Sequence, residues 1–129
     1  MIKAHLTING QNMAPVTTDF KVIHEITYEK IVTTQDGTEH EFGKRLRPII
    51  EFSVMLSREA TPEDYRALLQ DPIMVEYDDP DAGFRKLPFR LDCNLEKTLE
   101  CWNCVQHANY FSSGGIRLRC KEVIDVKSI

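Results

Sequence analysis

The sequence predicts a mainly β domain: an antiparallel β-sandwich or barrel of about seven strands, with one short flanking α-helix and a long projecting hairpin. Three observations carry that prediction. Apolar and polar residues alternate with period two through most of the chain. Turn-forming Gly, Asn and Asp residues separate the alternating runs. One stretch, Arg45–Tyr77, reads as strand, capped helix and strand, and organises the elements on either side of it.

Residues 2–8 place Ile2, Ala4, Leu6 and Ile8 on one face, with Lys3, His5 and Thr7 on the other. Asn9-Gly10 tolerates the positive φ angles of a tight hairpin turn, so Met13 is expected to pair back near Leu6, with Pro15 ending the hairpin. From Phe20 the alternation resumes, with Phe20, Val22, His24, Ile26 and Tyr28 facing one way. The next turn signal is Gln35-Asp36-Gly37. A three-residue loop with Gly37 left-handed pairs Thr34 with Thr38. Continued back, that register sets Ile26 against Leu46, His24 against Pro48, Val22 against Ile50 and Phe20 against Phe52. A two-residue Asp-Gly turn shifts the pairing by one and sets apolar residues against polar ones. The prediction is a hairpin over about residues 20–57, with a polar tip that finds no core of its own.

In the organising stretch, Leu46, Pro48, Ile50, Phe52, Val54 and Leu56 share one face. Thr61 is placed to cap a helix, Pro62 suits its first position, and Glu63 and Asp64 sit at its positive end. Pro72 is expected to stop it about three turns on. Ile73, Val75 and Tyr77 then alternate, a polar turn spans residues 78–83, and Leu87, Phe89, Leu91 and Cys93 share a face. Pro88 suggests an edge position or a bulge. Residues 95–111 fit either a helical stripe (Leu95, Leu99, Trp102, Val105) or a strand. Their Cys, Trp and Val residues favour the strand. After Gly114-Gly115, a last strand carries Ile116, Leu118, Cys120, Ile124 and Val126 on one face.

At 129 residues the chain is expected to be a single domain. A formal charge of −4 argues against a general nucleic-acid binder. No apolar run approaches membrane-spanning length, and MIKAHLTING lacks the apolar segment of a signal peptide. The four cysteines are therefore expected to be free thiols or metal ligands in a reducing compartment.

Cys101, Cys104 and His107, with Cys93 or Cys120, are the zinc candidates. The first spacing suits a ligand pair, but no complete zinc pattern follows, and buried structural thiols are the expected outcome. Asp78, Asp79 and Asp81 do not match a calcium loop, because Phe84 and Arg90 stand where Gly and Glu belong. A solvated turn is expected there. His24 falls on an apolar face, where a hydrogen-bonded core histidine is expected. Glu39, His40 and Glu41 have no nucleophile elbow or phosphate loop beside them. No catalytic residue, metal or cofactor is expected. Cations lie on the outward faces of three strands, at Arg45 and Arg47, Lys86 and Arg90, and Arg117, Arg119 and Lys121, while acidic residues concentrate elsewhere. That pattern is either a solvated face or one pole of a stacking molecule.

The order LTING, polar-tipped hairpin, TPEDYRALL helix, VEYDDPDAGF hairpin and closing RLRC strand resembles tailed-phage and prophage tail structural proteins, including minor-tail and tail-tube-like proteins. The resemblance implies a non-enzymatic β domain assembled into homo-oligomeric rings, commonly hexameric, alongside other tail proteins. It also implies assembly in the bacterial cytoplasm before incorporation into a virion tail, with no membrane and no sequence-specific nucleic-acid partner. On that reading the hairpin reaches a neighbour, and the expected interface is Gln35, Asp36, Gly37, Glu39, His40, Phe42, Arg45 and Arg47. A small zinc-stabilised binding module is the alternative.

Overall fold

A computed structural model describes residues 2, 4–81, 83–100, 105–106 and 110–125. The first hairpin forms from β1 (Leu6–Ile8) and β2 (Gln11–Asn12), turning at Asn9 and Gly10 with φ of 48° and 84°. The Met13 N–H donates to the Leu6 carbonyl at 2.8 Å, as the sequence suggests. A short 3-10 turn at Ala14–Val16 then delivers the chain into β3 (Thr17–Thr33).

β3 and β4 (Glu39–Leu56) make the long hairpin. Ile26 pairs with Leu46, His24 with Pro48 and Val22 with Ile50, in the expected register, and Thr34 donates to Thr38 across the turn at 2.8 Å. The expected Phe20–Phe52 pair does not continue the ladder. The register shifts between Thr18 and Lys21, so Asp19 and Phe20 together oppose one position of β4. Asp19 takes φ of 53°, a left-handed conformation that Asp tolerates better than most residues, and the strand bulges there.

Helix α1 (Pro62–Leu68) follows β4. Thr61 accepts from the Asp64 N–H while the Asp64 carboxylate accepts from the Thr61 N–H, a reciprocal capping box. The helix is shorter than the three turns expected: it ends at Leu68, and Pro72 lies beyond its cap. Tyr65 and Leu69 are buried against the sheet. β5 (Ile73–Asp79) and β6 (Gly83–Leu91) form the second hairpin. Pro88 pairs with Met74 in unbroken register, so it marks no bulge. On its other side it lies just past the last rung to the strand at Ile116–Cys120, where its carbonyl accepts from Lys121, so its missing N–H falls at the open end of that ladder, the edge position the sequence suggests.

The strand favoured for residues 95–111 is corrected at its start. Leu95–Leu99 is a helix, α2, capped by Asn94, whose side chain accepts from the Lys97 N–H. The cap and the Leu95–Leu99 spacing outweigh the β propensity of the residues that follow. β7 (Val105–Gln106) and β8 (Phe111–Ser112) are short and paired with each other. The last strand is broken as well, into β9 (Ile116–Cys120) and β10 (Ile124–Asp125).

The sheet order is β2-β1-β5-β6-β9-β4-β8-β7, with β3 and β10 also on β4. β4 is the spine. One edge takes β3 along most of its length, and the other takes β10, β9 and β8 in succession. The antiparallel sheet curls into a half-barrel, which resolves the choice between sandwich and barrel. Its concave face buries Leu6, Ile8, Ile50, Phe52, Val75, Tyr77, Phe89, Ile116 and Leu118 as one cluster. No helix among the described residues is long and apolar enough to cross a membrane.

Candidate assembly interface

Strands of 17 and 18 residues are longer than this core can cover. From Ile26 to Gly43 every residue but Val32 is exposed. At roughly 3.3 Å per residue, the arm beyond Ile26 runs about 25 Å. Pairing of Ile26 with Leu46, Tyr28 with Lys44 and Lys30 with Phe42 keeps Ile26, Tyr28 and Phe42 on the face that continues from Ile50 and Phe52. In the body this row is core; on the arm Ile26 is 40% exposed, Tyr28 36% and Phe42 54%. Ile31, 56% exposed, stands on the opposite face.

The tip is well formed. Gly37 takes φ of 85°, its N–H donates to the Thr34 carbonyl at 3.0 Å, and the Asp36 carboxylate accepts from the Thr34 hydroxyl and the Thr38 N–H. The Thr34 and Thr38 bonds hold the Asp36 carboxyl below its usual range. Gln35, Asp36, Gly37, Glu39, His40 and Phe42, all expected at an interface, therefore sit together and exposed at the arm's end. Arg45 and Arg47 lie nearer the body and half-buried. Arg45 stands 3.7 Å from Glu29, and Arg47 donates to the Cys120 carbonyl at 2.7 Å, a bond within the molecule. Gly43 takes φ of 67° mid-strand, and a Cβ there would lie 2.6 Å from that of Glu29.

An ion cluster sits at the arm's root. His24 Nε2 is 2.9 Å from Asp79 and Nδ1 is 3.0 Å from Asp81. Asp79 is buried and also accepts from Arg85 Nε at 3.1 Å, the Tyr77 hydroxyl at 3.4 Å and the Asp81 N–H at 2.9 Å. Burial raises the Asp79 carboxyl, but the Asp81 N–H, His24 and Arg85 outweigh it and leave it lowered. Donor atoms of His24, Asp79 and Asp81 lie within 4.8 Å of one another. The two ring nitrogens serve different carboxylates and Arg85 already neutralises Asp79, so the arrangement is a hydrogen-bonded ion cluster rather than a metal centre.

His24 is thus the hydrogen-bonded histidine the sequence suggests. The solvated turn expected at residues 78–81 is corrected at Asp79, which continues the inward row Ile73, Val75, Tyr77 by one step. Extending that alternation was the signal available. Cys101, Cys104 and His107 lie outside the described residues. Cys93 is half-buried and its sulfur accepts from the Arg117 N–H at 3.5 Å. Cys120 is buried, and burial pushes its thiol up.

The cationic outer face is not one pole of the molecule. Arg117 bonds Glu51 at 2.6 Å and Asp92 at 3.1 Å, Arg119 bonds Glu25 at 2.8 Å and Asp92 at 3.2 Å, and Lys21 stands 3.3 Å from Glu51. Acidic residues interleave with the cations and tie β3, β4, β9 and Asp92, the residue after β6, together across the convex face. Ile49 is buried on that side, beside Ile23 and Arg119.

This geometry defines a class: a curled antiparallel sheet whose longest hairpin leaves the core and carries a partly exposed apolar row. No family model and no curated protein matches the chain. Two solved chains share its fold. One, in the virion of a native gene transfer agent particle, is 12% identical with a TM-score of 0.62, covering 96% of this chain and 95% of its own. The other, in the tail of an empty gene transfer agent particle treated with C6 symmetry, is 14% identical with a TM-score of 0.56, covering 92% and 89%.

Proposed function

We propose that this chain is a non-enzymatic structural subunit of a phage-like tail, and that copies join into rings through the projecting arm. The observation that carries the reading is the row Ile26, Tyr28 and Phe42, which continues the core face along the arm and stays 36–54% exposed among the described residues. Apolar side chains aligned on one face of a strand pair gain most when a neighbour removes them from water. The shared fold of chains in a gene transfer agent virion and tail supports the tail setting, and the C6 symmetry given for that tail supports a ring of six. On this reading the protein assembles in the bacterial cytoplasm with other tail proteins and ends in the particle.

Analytical ultracentrifugation and negative-stain microscopy of concentrated protein test it. Wild type forms rings or short stacks, and Phe42→Asp remains monomeric with an unchanged far-ultraviolet spectrum. A wild type that stays monomeric across the concentration range overturns the reading.

A further inference from the structure

The cluster at the root of the arm places one imidazole between two carboxylates. A neutral imidazole carries one N–H and one lone pair, so it donates to one acid only, whereas the imidazolium donates to both. At 2.9 Å and 3.0 Å, a neutral ring turns its lone pair toward a carboxylate oxygen on one side or the other. The two acids are not equivalent. The Asp79 side chain is fully buried and fixed by Arg85, Tyr77 and the Asp81 N–H, while the Asp81 side chain is 72% exposed. A neutral ring therefore keeps its N–H on Asp79, and Asp81 lets go into water.

Among the described residues, the surroundings add no second switch. β3 flanks His24 on the same face with Val22 and Ile26, and β4 sets Pro48 opposite it. β5 brings Tyr77 and Asp79, the turn brings Asp81, and β6 brings Arg85. On β9, Cys120 lies near Tyr77 and Arg85, with Glu122 beside it. Tyr77 and Cys120 both have their proton loss pushed upward by burial, so both stay neutral where imidazoles titrate.

We propose that His24 is a proton-dependent latch, closed when the ring is charged, that fastens the root of the arm to the β5–β6 turn. Loss of the proton frees Asp81 and its turn and loosens β3 where it leaves the body. The latch is a property of the single chain. Its consequence, an arm freer to reach a neighbour as pH rises, rests on the assembly reading above.

Amide exchange of residues 22–28 and 79–85, corrected for intrinsic pH dependence, tests the latch in dilute full-length protein. Protection of both segments is about tenfold lower at alkaline than at acid pH in wild type, the loss of one charged hydrogen bond. His24→Gln gives a flat, low profile. Because it retains His5, His40 and His107, that flatness assigns the titration to position 24. A flat wild-type profile, or a wild-type slope in His24→Gln, overturns the latch. Should His24→Gln not fold, the ring nitrogen signals of wild type decide: two protonated nitrogens giving way to one N–H on the Asp79 side support it, and one unchanging tautomer overturns it. Light scattering at higher concentration separates the two claims. Assembly that rises with pH supports the consequence, while assembly indifferent to pH in a protein whose latch titrates overturns that consequence alone.

Discussion

At the scale of single residues, the informative positions are those where a side chain or its absence is forced. Gly43 combines positive φ with Glu29 pressed against it across the ladder. Gly43→Ala is expected to cost about 1–2 kcal/mol, from left-handed strain and the displacement of Glu29. The loss should register as faster amide exchange in residues 26–43, with the body unchanged; equal loss throughout would show that arm and body unfold together. Asp79 is the other forced position. It is held below the usual carboxylate range despite burial, as are Glu51, by Lys21 and Arg117, and Asp92, by Arg117 and Arg119. A carboxyl whose folded value is lowered contributes stability above its unfolded value of about 4, and that contribution fades as pH falls through the folded value. Thermal unfolding midpoints should therefore drop as pH falls below about 4. Asp79→Asn should be less stable by about 2 kcal/mol at neutral pH, because Arg85 and His24 lose a charged partner, and should show a shallower acid slope. A slope identical to wild type would place the acid sensitivity elsewhere.

At the scale of elements, legibility followed how many independent constraints a segment carried. The long hairpin was readable to the residue because the Gly37 turn and two apolar rows had to agree on one register. It failed only at Asp19–Phe20, where a bulge needs one unusual φ that alternation does not encode. Helix α1 was readable from its Thr61-Pro62-Glu63-Asp64 start, but not its end, because no glycine marks the stop. α2 was missed because its five residues contain too little of a helical stripe to outweigh β-prone neighbours. The capping box makes α1 testable. Thr61→Ala removes the oxygen that accepts from Asp64 and should cost about 1 kcal/mol by denaturant titration. An unchanged midpoint would mean that burial of Tyr65 and Leu69 alone holds the helix. Of the candidate interface, the exposed tip was readable from polarity. The inward engagement of Arg47 was not, since its acceptor is a backbone carbonyl 73 residues away.

At the scale of the whole molecule, one alternating row serves two purposes, and the boundary between them is chemical. Ile50 and Phe52 lie under the closed sheet; Ile26, Tyr28 and Phe42 continue the same face beyond it. The His24 cluster stands between the two regions, where buried residues give way to exposed ones. Charge introduced on either side should therefore have opposite consequences. Ile50→Asp buries an unpaired carboxylate, costs several kcal/mol and should leave no cooperative unfolding transition. Tyr28→Asp puts the same charge in water, should leave the melting midpoint within a degree or two, and should abolish the larger species in sedimentation. A shortened arm that joins Lys30 to Phe42 through Asn-Gly preserves their pairing while deleting the tip, and separates tip from face. Assembly surviving that deletion but not Tyr28→Asp would assign the contact to the apolar face. Assembly lost in both would require the tip as well. Assembly retained in both would remove the arm from the interface and leave its exposed row without an occupant.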